Sequence, residues 1–258
     1  RPDAADPAPE RDIAARGEEK RQRQPEESHR QLIGLLSPEP QHQVARRAAE
    51  LQMPAVALAD RDGLYGTARF VDACEREGVR PIVGASLTVR EPGTLPLPRS
   101  GRRSADASVV LLARDAAGYA NLCRLLTDAH LLTSRGDPWI ATEQLCAHAA
   151  GIVALLGPRS HPGRLAVAGR IDAAARLAAP MREAFGADRL RVAVEHRMEV
   201  DSAAEIRRML RFAERLEVPA VATNAVRYLE PDDAFLADAL ECMRELVPIA
   251  SNHVSRRN

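Results

Sequence analysis

Apolar residues follow two alternating rhythms along this chain: helical spacings of three and four, and short unbroken runs. Val44, Ala48 and Leu51 fall on one helical face, and Pro54 ends that helix. Ala55 to Ala59 is a short apolar run that fits a buried strand, closed by the turn residues Asp60, Arg61, Asp62 and Gly63. A second helix starts near Gly66 with Thr67, Phe70, Val71 and Cys74 on one side. Gly78 stops it, and Pro81 to Val89 is the next strand. The result is a β-α-β unit with the Asp60 carboxylate at the C-terminal end of its first strand, where α/β folds collect ligands and catalytic groups.

The alternation continues. Ser108–Ala113 reads as a strand, and Asp115 caps a helix that carries Tyr119, Leu122 and Leu126 on one face. Thr142–His148 is a short helix and Gly151–Leu156 a strand. Leu165–Phe185 is an Ala-rich helical region broken near Pro180, and Leu190–Glu195 is a strand. Ser202 and Glu205 form a capping box before a helix that turns Ile206, Met209, Leu210 and Ala213 inward. The same helix turns Arg207, Arg208, Arg211 and Arg215 to solvent. Pro219–Thr223 is the last strand and Pro231–Glu245 the last helix. About six strand–helix alternations imply an α/β fold with a mainly parallel sheet and helices outside. At 258 residues, a closed or nearly closed barrel is favoured over an open sheet.

Composition narrows the picture. Hydrophobic residues make up 45% of the chain but aromatics only 3%, so the core is aliphatic. Lys plus Arg and Asp plus Glu balance at 36 each, which argues against a dedicated nucleic-acid-binding module and leaves only local basic patches open. Residues 1–27 are charged and nearly free of large apolar side chains, and read as a disordered tail. The loop from Glu91 to Asp106 contains Arg99, Arg102 and Arg103; a solvated loop is the ordinary reading and a phosphate contact the sharper one. The four cysteines, Cys74, Cys123, Cys146 and Cys242, have no C-x-x-C spacing and read as reduced, buried thiols. No apolar run is long enough to span a membrane and no secretory signal opens the chain, so the expected place is the cytoplasm. Glycine-rich nucleotide motifs are absent.

Four stretches resemble one family in the right order. MPAVALADRDGLYG with GVRPIVGASLTV, then LLARDAAGYANLCRLL, then PAVATNAVRYLEP, and finally LVPIASNHVSRRN look like the PHP domain of bacterial DNA polymerase III alpha subunits. The Arg-Asp-Gly-Leu-Tyr-Gly wording is closest to the error-prone branch. The resemblance covers roughly residues 43–258. It implies a distorted (β/α)7 barrel over residues 28–245, with residues 246–258 starting a linker toward a polymerase core. The apolar first strand of the family is missing or altered here, because Arg21 to Glu26 is polar throughout.

The resemblance also implies a site of two or three divalent metals, such as zinc or manganese, held by His, Asp, Glu and Cys. A gapless carry-over puts Glu27 and His29 at the His-x-His signature and keeps Asp60, with Arg61 in place of the replicative members' His. Elsewhere the donors are gone: Ser86 for Glu, Ser108 for His, Pro158 for Cys, and Ala225 and Arg227 for the closing Asp-x-His. Glu27, His29 and Asp60 are the remnant metal candidates, too few for a multi-metal site, so no cofactor and no catalytic residue is expected. An ion pair between Arg227 and Asp60 is a candidate replacement for the metal. Glu195 with His196 is the best leftover acid–base pair. The family is one of DNA-directed nucleotidyltransferases in replication and repair, but this chain alone is expected to be inactive. The expected role is a structural brace, with a polymerase core and replication or repair subunits as partners, DNA contacted only indirectly, and no membrane. Alternatives are a metal-dependent phosphoesterase, either a 3′–5′ exonuclease or a phosphatase, and a stand-alone interaction module from a truncated gene.

Overall fold

The computed structural model describes residues 40–91, 106–196, 201–223, 226, 228–245 and 248–249. In chain order the elements are α1 (Pro40–Glu50), β1 (Ala55–Arg61), α2 (Thr67–Arg76), β2 (Arg80–Val89), β3 (Ala107–Ala113) and α3 (Ala116–Leu131). Then come α4 (Thr142–Ala147), β4 (Ile152–Leu156), α5 (His161–Val167), α6 (Ile171–Phe185), β5 (Leu190–Glu195), α7 (Ser202–Leu216) and β6 (Ala220–Thr223). A 3-10 turn at Pro231–Asp233 leads into α8 (Ala234–Glu245). The six strands form one curled sheet in the order β1-β2-β3-β4-β5-β6, an open part of the expected distorted barrel. The family's first strand falls outside the described residues.

The sheet is less parallel than the sequence pattern suggests. β1 with β2, β4 with β5, and β5 with β6 are parallel, but β3 runs antiparallel to both its neighbours. A parallel return needs a crossover of helical length. The Pro-, Gly- and Arg-rich sequence between β2 and β3 has no helical pattern, so the strand direction reverses there.

One face of the sheet is packed by helices. Leu87, Leu111, Ile152, Leu156, Leu190 and Val192 meet Leu122 of α3, Phe185 of α6 and Phe212 of α7 in the main core. A smaller cluster joins Ala45 of α1 to Phe70, Ala73 and Cys74 of α2 beneath Val56 and Leu58 of β1. With so few aromatics, three fully buried phenylalanines, Phe70, Phe185 and Phe212, fill the largest volumes. Cys74 and Cys242 are buried as expected, whereas Cys123 and Cys146 are only half-buried; all four are free thiols.

Several local expectations shift by a residue or a face. Leu51 lies past the end of α1 and is 58% exposed. Gln52, at φ +55, ends that helix, with Met53 N donating to Ala48 O and Gln52 N to Ala49 O. The Ala-rich region breaks at Gly169, not at Pro180: Gly169 adopts φ +80 after α5, while Pro180 sits inside α6 at an exposed position. Asp201, not Ser202, is the N-cap residue of α7, so the expected capping box does not form. Instead Ser202 is buried as the first helical residue, and the amides of Ala204 and Glu205 both donate to Asp201 O. Tyr119, expected on one face with Leu122 and Leu126, and Leu210, expected inward, are 43% and 39% exposed. Asp115 does cap α3, accepting from Gly118 N at 2.8 Å.

Candidate functional site

The C-terminal ends of the parallel strands define the mouth of the curled sheet, and register decides which side chains face it. Asp60 is paired with Ala85 and Arg61 with Ser86. Side-by-side residues of a parallel pair share a face. Ala85 belongs to the helix-packed core, so Asp60 lies on the helix side of β1. There its Oδ2 accepts a hydrogen bond from Gly66 N at 2.9 Å, and Gly66 is the N-cap residue of α2. A carboxylate at a helix N-terminus satisfies one unpaired amide and favours the dipole.

Arg61 and Ser86 lie on the opposite face, at the mouth. The Arg61 Nε is 3.5 Å from Asp62 Oδ2. Asp62, nearly buried and at φ +50, is engaged on every side. Its Oδ1 accepts from Thr88 N at 2.6 Å, its Oδ2 from Thr88 Oγ1 at 2.8 Å, and its backbone oxygen lies 2.7 Å from His130 Nε2. It thus pins the end of β1 to β2 and to α3. Sequence reasoning read Asp62 as a turn residue; Thr88 and His130 are 26 and 68 residues away and no local pattern ties them to it.

Beyond β2 lies a second buried polar cluster that the sequence did not disclose. Arg90, with its side chain only 11% exposed, forks onto two carboxylates. Nε and Nη2 reach Asp106 at 3.2 and 2.9 Å, and Nη1 and Nη2 reach Asp137 at 3.1 and 2.8 Å. The guanidinium also stands 5.8 Å from the centre of the Trp139 ring. Hydrogen bonding to Asp137 holds Arg90 more firmly in its charged form than usual, in spite of burial. Arg164 donates to Asp106 O at 2.6 Å, and Thr142 Oγ1 donates to Glu91 at 2.6 Å.

His161 follows β4 and places Nε2 3.2 Å from Val89 O. Burial, with the neighbouring Arg164 cation, pushes its imidazole below the ordinary value of 6.5, against the smaller opposing pull of Glu91 and Asp106. The unfolded chain therefore binds this proton more readily than the folded one. The stability that neutral His161 contributes is complete above about pH 6.5 and is lost as the pH falls through the window below it. Denaturant midpoints should thus drop between pH 7.5 and 5.5, and His161→Gln should shrink that drop; an undiminished drop in the variant would assign it to other groups.

The remaining expected site residues fall as follows. Ser108 is half-buried at the start of β3 and its amide donates to Arg159 O. Pro158 is half-buried after β4; Glu195 ends β5 half-buried and His196 is exposed. Glu27, His29, Arg99, Arg102, Arg103, Ala225 and Arg227 lie outside the described residues, and with them the Arg227–Asp60 ion pair. Among the described residues no group of three or more His, Cys, Asp or Glu could hold a metal ion. Nor is any described helix long and apolar enough to cross a membrane.

Comparison with known proteins points to the same family as the sequence signatures. The PHP domain profile matches residues 29–197. The chain is 32% identical over 206 residues to the DNA polymerase III subunit alpha of Caulobacter vibrioides, covering 79% of this chain and 18% of that protein. It is 35% identical over 226 residues to an error-prone DNA polymerase of Anaeromyxobacter sp. (strain K), covering 83% and 17%. It therefore spans less than a fifth of the length of these relatives. A solved amidohydrolase from Chromobacterium violaceum superimposes at a TM-score of 0.46 and 16% identity, over 71% of this chain and 81% of that one, too loosely to argue from. The profile match over most of the alternating strands and helices, with relatives covering 79% and 83% of the chain, shows that this chain belongs to the PHP domain family.

Proposed function

We propose that this chain is the PHP portion of a polymerase III alpha-type protein of the error-prone kind, and that it acts as a structural brace rather than as a metal-dependent hydrolase. Residues 28–245 form the domain, residues 1–27 a charged tail, and residues 246–258 the start of a linker toward a polymerase core. That core and replication or repair subunits are the partners, and DNA is met through them. The supporting observation is the chemistry of the mouth. The face that points there carries Arg61 and Ser86, while Asp60 is turned to the Gly66 amide and Asp62 is spent on Thr88.

Zinc and manganese sites need several anionic or imidazole donors converging on one point. A guanidinium and a hydroxyl do not fit that requirement, and both nearby carboxylates already accept backbone hydrogen bonds. Glu27 and His29 with Asp60 are the remnant candidates, and three such donors fall short of a two-metal cluster. The expected result is that protein dialysed against zinc or manganese retains well under one ion per chain by elemental analysis. It should show no 3′–5′ exonuclease or phosphatase turnover. Stoichiometric metal with turnover would replace the brace by the phosphoesterase reading.

A further inference from the structure

We propose that the outer face of α7 is a binding surface for the phosphate backbone of nucleic acid, a direct contact added to the indirect one of the brace reading and independent of whether the mouth holds a metal. Arg207, Arg211 and Arg215 recur every four residues, and Arg208 lies beside them; all four are exposed. The opposite side of the helix is fixed by the buried Met209, Phe212, Ala213 and Leu216, so the arginine row cannot rotate away from solvent. Successive members of the row rise about 6 Å along the axis.

Two of the arginines are held in place from the neighbouring helices. Arg208 Nη1 donates to Val167 O at 3.0 Å, and Arg215 Nε donates to Asp172 Oδ1 at 2.9 Å. Arg207 and Arg211 form no hydrogen bond or ion pair within the described residues. The Arg215–Asp172 contact brings the start of α6 alongside, and exposed Arg176, one turn beyond Asp172, extends the basic area. Glu205 and Glu214 of the same helix and Asp172 are the nearby acids, three against the five arginines Arg176, Arg207, Arg208, Arg211 and Arg215.

Like charges four residues apart on a helix repel each other. A polyanion laid along the row relieves that repulsion, and guanidinium forks match phosphate oxygens in pairs. The one aromatic of α7, Phe212, is buried and cannot stack a base, so the chemistry of the helix selects backbone and not sequence. The zero net charge of the chain is compatible with this, because α7 carries four arginines against two glutamates, a local excess within a balanced whole.

The test is fluorescence anisotropy of the full chain with a labelled single-stranded DNA oligonucleotide across a salt series. The wild type should bind at low salt and weaken steadily as salt rises. Arg207→Glu with Arg211→Glu should weaken binding by at least about tenfold, and flatten the log affinity against log salt line by about 0.7 for each arginine removed from a phosphate. The milder pair Arg207→Gln with Arg211→Gln should move both quantities the same way by less, and thermal unfolding checks that each variant is folded. A control with the same change in net charge, Arg76→Glu with Arg114→Glu, alters exposed arginines on other elements and should bind as the wild type does. No binding by the wild type, equal loss in the control, or equally strong competition by polyglutamate would overturn the assignment. The last outcome would point instead to an acidic protein partner.

Discussion

Replacing Arg90 by alanine is expected to destabilise the protein by about 3–5 kcal/mol, a large share of a domain's total stability. The cost does not come from the lost attraction alone. Asp106 and Asp137 would each keep a carboxylate beside the core with the shared cation removed, and Asp106 has only 8% of its side chain exposed. The Trp139 ring would lose the guanidinium that lies against it. Arg90→Lys should recover part of the loss, because one ammonium cannot reproduce two bidentate contacts. Arg90→Met combined with Asp106→Asn and Asp137→Asn should recover more, because no charge is then left unpaired. Urea denaturation of the series reads the order. If Arg90→Ala came within about 1 kcal/mol of the wild type, the cluster would be a solvated surface pair in solution.

Gly118→Ala is the second large effect, and its sign opposes helix propensity. On an exposed helix this exchange stabilises by roughly 1 kcal/mol. Here a Cβ would run into the backbone carbonyl of Gly151, which cannot swing aside as a side chain can. Gly151 itself sits at φ +70, and its carbonyl oxygen accepts from Arg114 N at 2.9 Å, so the contact is fixed from both sides. We expect a loss of about 3 kcal/mol or more, read as a fall in the denaturant midpoint. Gly136→Ala is the comparison without a clash, and Gly118 itself, being helical, carries no left-handed strain. Gly136 also has a positive φ, but a Cβ there would meet nothing within 4 Å. It should cost only the left-handed backbone penalty, about 1–2 kcal/mol. A loss at Gly118 no larger than that at Gly136 would show that the Gly151 carbonyl yields to the added methyl and that no clash persists.

Much of the candidate site was legible one residue at a time but not as an arrangement. Asp60 was found because it ends an apolar run, yet nothing in the run says which face it takes. That follows from its pairing with Ala85, and the pairing follows from how β1 and β2 slide against each other. Arg61 was read only as a departure from a family pattern, although its neighbour Ser86 makes it the residue at the mouth. Asp62 and Arg90 were missed because their partners come from loops and helices distant in sequence. Polar clusters of that kind leave no periodic trace.

By itself the sequence determined the alternation of strands and helices, the aliphatic nature of the core and the family. Spacing and turn residues act over a few positions, and four ordered signatures survive at about a third identity. It also determined that α7 is two-faced, since Met209 and Ala213 read as inward and the arginines beside them must then face outward. Only the tertiary structure decided the reversal of β3, the helix-ward turn of Asp60, and the fork of Arg90 onto Asp106 and Asp137. Each of these depends on which distant segments share a register or a buried volume, and local propensity carries no information about that.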